Sequence, residues 1–142
     1  MVDRRNRDDG AALLRDLIDG RITNDEFLGK FPKSTDPALQ AIYYFAWGQF
    51  SDLRVHKLTG HDGPPPERLA FLERCYLFLK TDLEFEWPVP KPSIGKGLLE
   101  LVGLQRWFRA SEEKYKSRGE FDVWPFLRRS DYETQTRALC QG

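Results

Sequence analysis

The sequence predicts an all-α fold, an irregular bundle of about five or six helices built around a central antiparallel helix pair. Three observations carry that expectation. Two long stretches, 37–57 and 67–86, repeat apolar residues at helical spacing. A short Gly/Pro loop at 60–66 (GHDGPPP) joins them, which makes an antiparallel hairpin their natural arrangement. The composition is that of a globular chain, with 40% hydrophobic and 31% charged residues, and the 13% aromatic share foretells a core rich in rings. One domain over 1–142 is the expected size, with residues 1–8 and 140–142 as loose ends.

A first short helix opens at Ala11, where Leu13, Leu14, Leu17 and Ile18 share a face and Gly20 closes it. Thr23 or Asn24 can cap a second short turn, with Asp25 and Glu26 well placed at its positive end. Phe27, Leu28 and Phe31 form its apolar face, and Pro32 stops it. Asp36 caps the first long helix, and Pro37 suits its first position. Leu39, Ile42, Ala46, Phe50 and Leu53 make one stripe, Tyr43 and Trp47 a second, and Ala38, Ala41 and Phe45 a third. That breadth implies burial around most of the circumference between about residues 38 and 50.

The second long helix starts near Glu67 and carries Leu69, Leu72, Tyr76, Leu79 and Leu83, widened by Phe71, Cys75 and Phe78. Pro88, Pro90 and Pro92 end it and extend 88–95. Residues 97–108 suit a helix or a strand; helix is the choice here, broken at Gly103. Gly119 is a stop, and 121–126 (FDVWPF) is an irregular aromatic segment. Ser130-Asp131-Tyr132-Glu133 forms a capping box for a last helix reaching about Ala138.

Lys plus Arg equals Asp plus Glu at 22 each, which removes the simplest argument for a nucleic-acid partner. The N-terminus lacks the apolar core of a signal peptide, and no apolar run approaches the roughly 18 residues of a membrane span. Cys75 and Cys140 have no CxxC spacing and read as reduced thiols. The expected setting is the cytoplasm, away from any membrane.

Few residues carry chemistry. His56, His61 and Asp62 offer zinc-type donors, yet the last two sit in the Gly/Pro loop and no third ligand follows at helical spacing. Asp82, Glu84 and Glu86 alternate with Leu83, Phe85 and Trp87. If the helix persists, Asp82 and Glu86 are i,i+4 neighbours able to hold a cation; if it has ended, carboxylates and rings take opposite sides of an extended strip. Asp82, Glu86, His56 and His61 are therefore the metal candidates. There is no GxSxG and no Walker spacing around Lys96. Arg106-Trp107-Phe108-Arg109 with Lys114, Lys116 and Arg118 mixes rings and cations as a nucleic-acid surface does, but Glu112, Glu113, Glu120 and Asp122 are interspersed.

Residues 13–88 resemble a group of small bacterial proteins of unassigned function. The matching stretches are Ile22, Asp25-Glu26-Phe27 and Phe31; Asp36-Pro37-Ala38 with Ile42 and Trp47; Asp52-Leu53-Arg54; and Phe78-Leu79-Lys80-Thr81-Asp82-Leu83-Glu84-Phe85-Glu86-Trp87-Pro88. The resemblance implies a bacterial origin and no particular reaction.

The expected function is a non-enzymatic module, regulatory or antidote-like, that binds another protein or a second copy of itself and needs no cofactor. Trp87, Trp107 and Trp124 border prolines or charged segments, where a half-exposed ring can anchor an interface, with Arg106 and Arg109 beside Trp107; the competing reading places all three rings in the core. A small metal-dependent enzyme built on the 82–86 carboxylates is the alternative, and nucleic-acid binding through 106–118 a further one.

Overall fold

A computed structural model describes residues 1–47, 54–87 and 116–142. Among these residues the chain is all-helical, with five α-helices and no strand. They are α1 (Arg4–Ile18), α2 (Asn24–Lys30), α3 (Pro37–Trp47), α4 (Pro66–Leu79) and α5 (Arg129–Cys140). Single 3-10 turns stand at Gly60–Asp62 and Phe121–Val123. No helix among the described residues is long and apolar enough to cross a membrane.

Helix α1 starts seven residues before Ala11, and residues 3–8 are its cap and first turns rather than a loose end. The Asp3 side chain accepts from the Asn6 amide at 3.2 Å, which satisfies one of the free N–H groups at the helix start. Arg7, Gly10, Ala11, Leu14 and Leu17 are buried along one stripe. The chain leaves α1 through Gly20, whose φ of 71° is a left-handed conformation that glycine adopts without strain. A side chain there would also strike Thr59, 2.3 Å from an added Cβ.

Thr23 is the cap of α2, its hydroxyl accepting from the Glu26 amide at 3.1 Å. Asp36 caps α3 as expected: its Oδ1 accepts the Ala38 amide at 3.0 Å. The first long helix is shorter than 37–57. Its described part ends at Trp47, and residues 54–58 are not helical. They are pinned to the start of α2 instead: the Asn24 amide donates to His56 O and the His56 amide to Asn24 Oδ1, both at 2.9 Å.

Helix α4 also stops early, at Leu79 rather than 86. The Thr81 hydroxyl donates to Phe78 O at 2.7 Å and accepts the Leu83 amide at 3.2 Å, turning the chain out of the helix. Leu72, Cys75, Phe78 and Leu79 are its buried ridge, whereas Leu69 and Leu83 are partly exposed. Among the described residues α4 packs most extensively against α1, and it also meets α5 and α3, its expected partner in the 37–57 and 67–86 pair. Gly10 lets the helices meet closely: a Cβ there would lie 3.0 Å from Leu39 Cδ2 and 3.5 Å from Leu79 Cδ1.

The irregular aromatic segment 121–126 folds its rings beneath α4. Trp124 is fully buried, stacked parallel to Phe71 at 5.2 Å and against Phe45 at 4.1 Å. Phe126 meets Phe78 edge-on at 5.2 Å. Helix α5 begins at Arg129 with no side-chain cap bond, so the predicted box at Ser130–Glu133 does not form. None of its residues is buried; Tyr132 against Phe126 at 5.5 Å is the ring contact that seats it. The expected helix or strand at 97–108 and the extended 88–95 lie outside the described residues.

Candidate functional site

Residues 31–36 join the end of α2 to the start of α3. Between them opens a groove of about 350 Å³. Leu28, Phe31 and Leu39 supply its apolar floor, Tyr43 and Tyr44 its aromatic wall. Phe31 and Tyr43 rings lie 5.4 Å apart, and Tyr43 meets Tyr44 edge-on at 5.8 Å. Its rim is exposed at Gly29, Lys33 and Gln40.

The polar groups of this groove are under-used within the protein. Tyr43 and Tyr44 make ring contacts but no hydrogen bond among the described residues. Lys33 is the one charged residue lining the groove, and it has no carboxylate partner among the described residues. Burial, helped by the Tyr44 phenol nearby, raises the Tyr43 phenol above its ordinary range, so it stays a protonated donor. Gln40 Nε2 donates to Ser34 O at 3.0 Å, which leaves its side-chain oxygen as an acceptor. Such a site can hold an apolar group and hydrogen-bond the polar atoms beside it.

The predicted metal set does not assemble. The helix ends before the 82–86 strip, so Asp82 and Glu86 are not helical neighbours; Asp82, Glu84 and Glu86 are exposed while Phe85 and Trp87 are buried. Asp82 accepts from Arg4 at 3.0 Å, and Glu86 lies 3.5 Å from Arg128. His56 is buried with Nδ1 2.9 Å from Arg54 O. Since a carbonyl only accepts, that nitrogen carries the proton. His61 is exposed in its 3-10 turn, and Asp62 pairs with Arg54. Among the described residues no three His, Cys, Asp or Glu are grouped to hold a metal ion. A second, polar hollow of about 480 Å³ beside Lys80–Leu83 and α5 includes Asp82, but without Glu86 or either histidine.

Two of the three tryptophans offered as interface anchors lie in the core. Trp87 is 3% exposed with its Nε1 donating to Phe126 O at 3.3 Å, and Trp124 is 0% exposed, so both are core residues and not interface anchors. Arg106, Trp107 and Arg109 lie outside the described residues, and with them most of the 106–118 surface. Cys75 and Cys140 are both free thiols; burial drives the Cys75 thiol far above its usual range.

Sequence reading assigned Leu28 and Phe31 to a core face and Tyr43 to a buried stripe, and so missed the groove. Nothing local marks it: adjacent residues of α3 such as Ala38-Leu39 and Ala41-Ile42 are both buried, so Tyr43 and Tyr44 side by side are no sign of a groove. No family model matches the chain, and no curated protein or solved structure matches it.

Proposed function

We propose that this chain is a non-enzymatic interaction module whose α2–α3 groove receives an apolar segment of another protein. The observation that carries this reading is the groove itself: an apolar, ring-walled trough with an exposed rim, whose two phenols and one ammonium have no bonding partner among the described residues. Most ionisable clusters elsewhere are engaged internally, as Arg15 with Glu73 at 2.7 Å and Arg7 with Asp36 at 2.7 Å illustrate. A bacterial origin, implied by the resemblance over 13–88, and a cytoplasmic setting, compatible with two free thiols, go with it.

Photo-crosslinking in the native cell tests the reading. A benzophenone amino acid at Gln40, on the groove rim, is expected to capture a discrete protein that the same probe at Thr134 on α5 does not. Adding Gly29→Trp is expected to abolish the adduct: Gly29 lines the groove and nothing lies within 4 Å of a Cβ there, so a larger side chain has room at the groove mouth. Identical adducts from Gln40 and Thr134, or indifference to Gly29→Trp, would refute it.

A further inference from the structure

Granting that the groove is the binding site, we infer that its occupant is an acidic-apolar segment of a partner protein, with a bulky apolar side chain on the Leu28–Phe31–Leu39 floor and a carboxylate beside it on Lys33. Charge complementarity carries the argument. Lys33 is the groove's single charged lining residue, and no carboxylate lines the groove with it. Its neighbour Lys30, by contrast, is held by Glu26 at 3.7 Å, one turn back along α2. A cation bordered by apolar surface and left without a counter-ion attracts an anion more strongly than one in open water, because the low-dielectric wall weakens screening.

The hydrogen-bonding groups select the same chemistry. The Tyr43 and Tyr44 hydroxyls are donors with no acceptor among the described residues, and a carboxylate is an acceptor-only group. With its Nε2 committed to Ser34 O, Gln40 retains an oxygen for a backbone N–H, which a peptide supplies and a simple apolar acid does not. The volume, about 350 Å³, sits at the lower end of binding pockets and admits a pair of bulky side chains rather than a whole folded element. The rim is exposed at Gly29, Lys33 and Gln40, where such a segment can leave the groove.

Selection of a displayed random heptapeptide library tests this on the full chain, using wild type, Gly29→Trp and Lys33→Glu in parallel. Both substituted positions are exposed, and a thermal melt of each variant verifies that it remains folded. Wild type is expected to enrich peptides that set a large apolar residue next to Asp or Glu. Recovery of those peptides on Gly29→Trp is expected to fall about tenfold or more, and Lys33→Glu to exchange the acidic preference for Lys or Arg. Enrichment that needs an open groove but shows no acidic preference, or none that Lys33→Glu alters, overturns the inference and leaves the groove as a binding site. Enrichment that Gly29→Trp does not touch, or no enrichment at all, overturns both.

Discussion

Arg7 grips both oxygens of the Asp36 carboxylate, Nε to Oδ2 at 2.7 Å and Nη2 to Oδ1 at 3.1 Å, and neither side chain is exposed to solvent. The remaining nitrogen, Nη1, donates to Thr81 O at 3.0 Å and Leu83 O at 2.8 Å, while the guanidinium lies 5.3 Å from the Phe78 ring centre. Asp36 in turn accepts the Asp3 amide at 3.0 Å and the Ala38 amide at 3.0 Å. One buried pair thus ties the start of α1, the cap of α3 and the exit from α4. Ser34, which lines the groove, joins the same network: its hydroxyl donates to Asp3 Oδ2 at 2.6 Å and accepts the Asp36 amide at 3.1 Å.

Breaking that pair from one side is expected to be severe. Arg7→Met leaves the buried Asp36 carboxylate without its counter-ion and Leu83 O without its donor, while Thr81 O keeps the bond from Arg4 at 2.8 Å; the expected loss is about 3–5 kcal/mol of unfolding free energy. Because Arg7 and Asp36 share one network, Arg7→Met with Asp36→Asn should cost clearly less than the sum of the single changes. Urea denaturation of the three variants measures this; strict additivity would mean that the pair does not act as a unit.

Acid should unfold the protein through the same residues. Burial alone would raise the Asp36 carboxyl, but the bonds from Arg7 and the Asp3 and Ala38 amides outweigh it and hold it below its ordinary value of about 3.9. The Ser34 and Asn6 bonds depress Asp3 likewise. A depressed carboxylate binds fewer protons folded than unfolded, so stability rises with pH across this window. It is fully present above about pH 5 and is lost as pH falls through 4 and below. Urea midpoints between roughly pH 6 and pH 2 should fall steeply for wild type and less steeply for Asp36→Asn. Parallel slopes would contradict the assignment.

The two thiols should separate cleanly. Cys140 is exposed near the chain end, whereas Cys75 is buried in the ridge of α4 with its ionisation suppressed by burial. A thiol reagent should label one cysteine in the native protein and the second only after denaturation. Prompt labelling of both would show that the α1–α4 interface opens readily.

Trp124→Ala should act on stability and not on recognition. Removing a fully buried indole from between Phe45 and Phe71 is expected to cost about 3–5 kcal/mol. Gly29→Trp, by contrast, places its side chain in open space and removes a helical glycine, so its melting midpoint should match or exceed wild type while peptide binding is lost. A strongly destabilised Gly29→Trp would place α2 differently from the arrangement described.

The parts legible in the sequence are those with local causes. Asp36 announces itself as a cap and Thr23 is one of the two caps the sequence offers for α2, while the burial expected over 38–50 holds in part among the described residues: Ala38, Leu39, Ala41, Ile42 and Ala46 are buried, Tyr43 and Tyr44 half-buried and Gln40 exposed. The alternation at 82–87 contains the observed arrangement, carboxylates outward and Phe85 and Trp87 inward, once the helix is known to stop at Leu79. What stayed hidden depends on distant partners. The first turns of α1 read as a polar tail because the residue in phase with Gly10, Leu14 and Leu17 is an arginine, and its counter-ion stands 29 positions away. Trp124 sits beside a proline and near charges, features of a surface, yet the chain folds back and presses it against α4. The groove itself is lined jointly by residues 28–34 and 39–44, and no periodicity along either helix records that juxtaposition.

Backbone amide chemical-shift mapping of the labelled protein, titrated with a peptide enriched on wild type, locates the occupied surface. Docking in the groove gives saturable shifts concentrated at residues 28–34 and 39–44, absent in Gly29→Trp. Shifts gathered instead along 80–83 and α5, or a titration that leaves the α2–α3 amides unmoved, would contradict it.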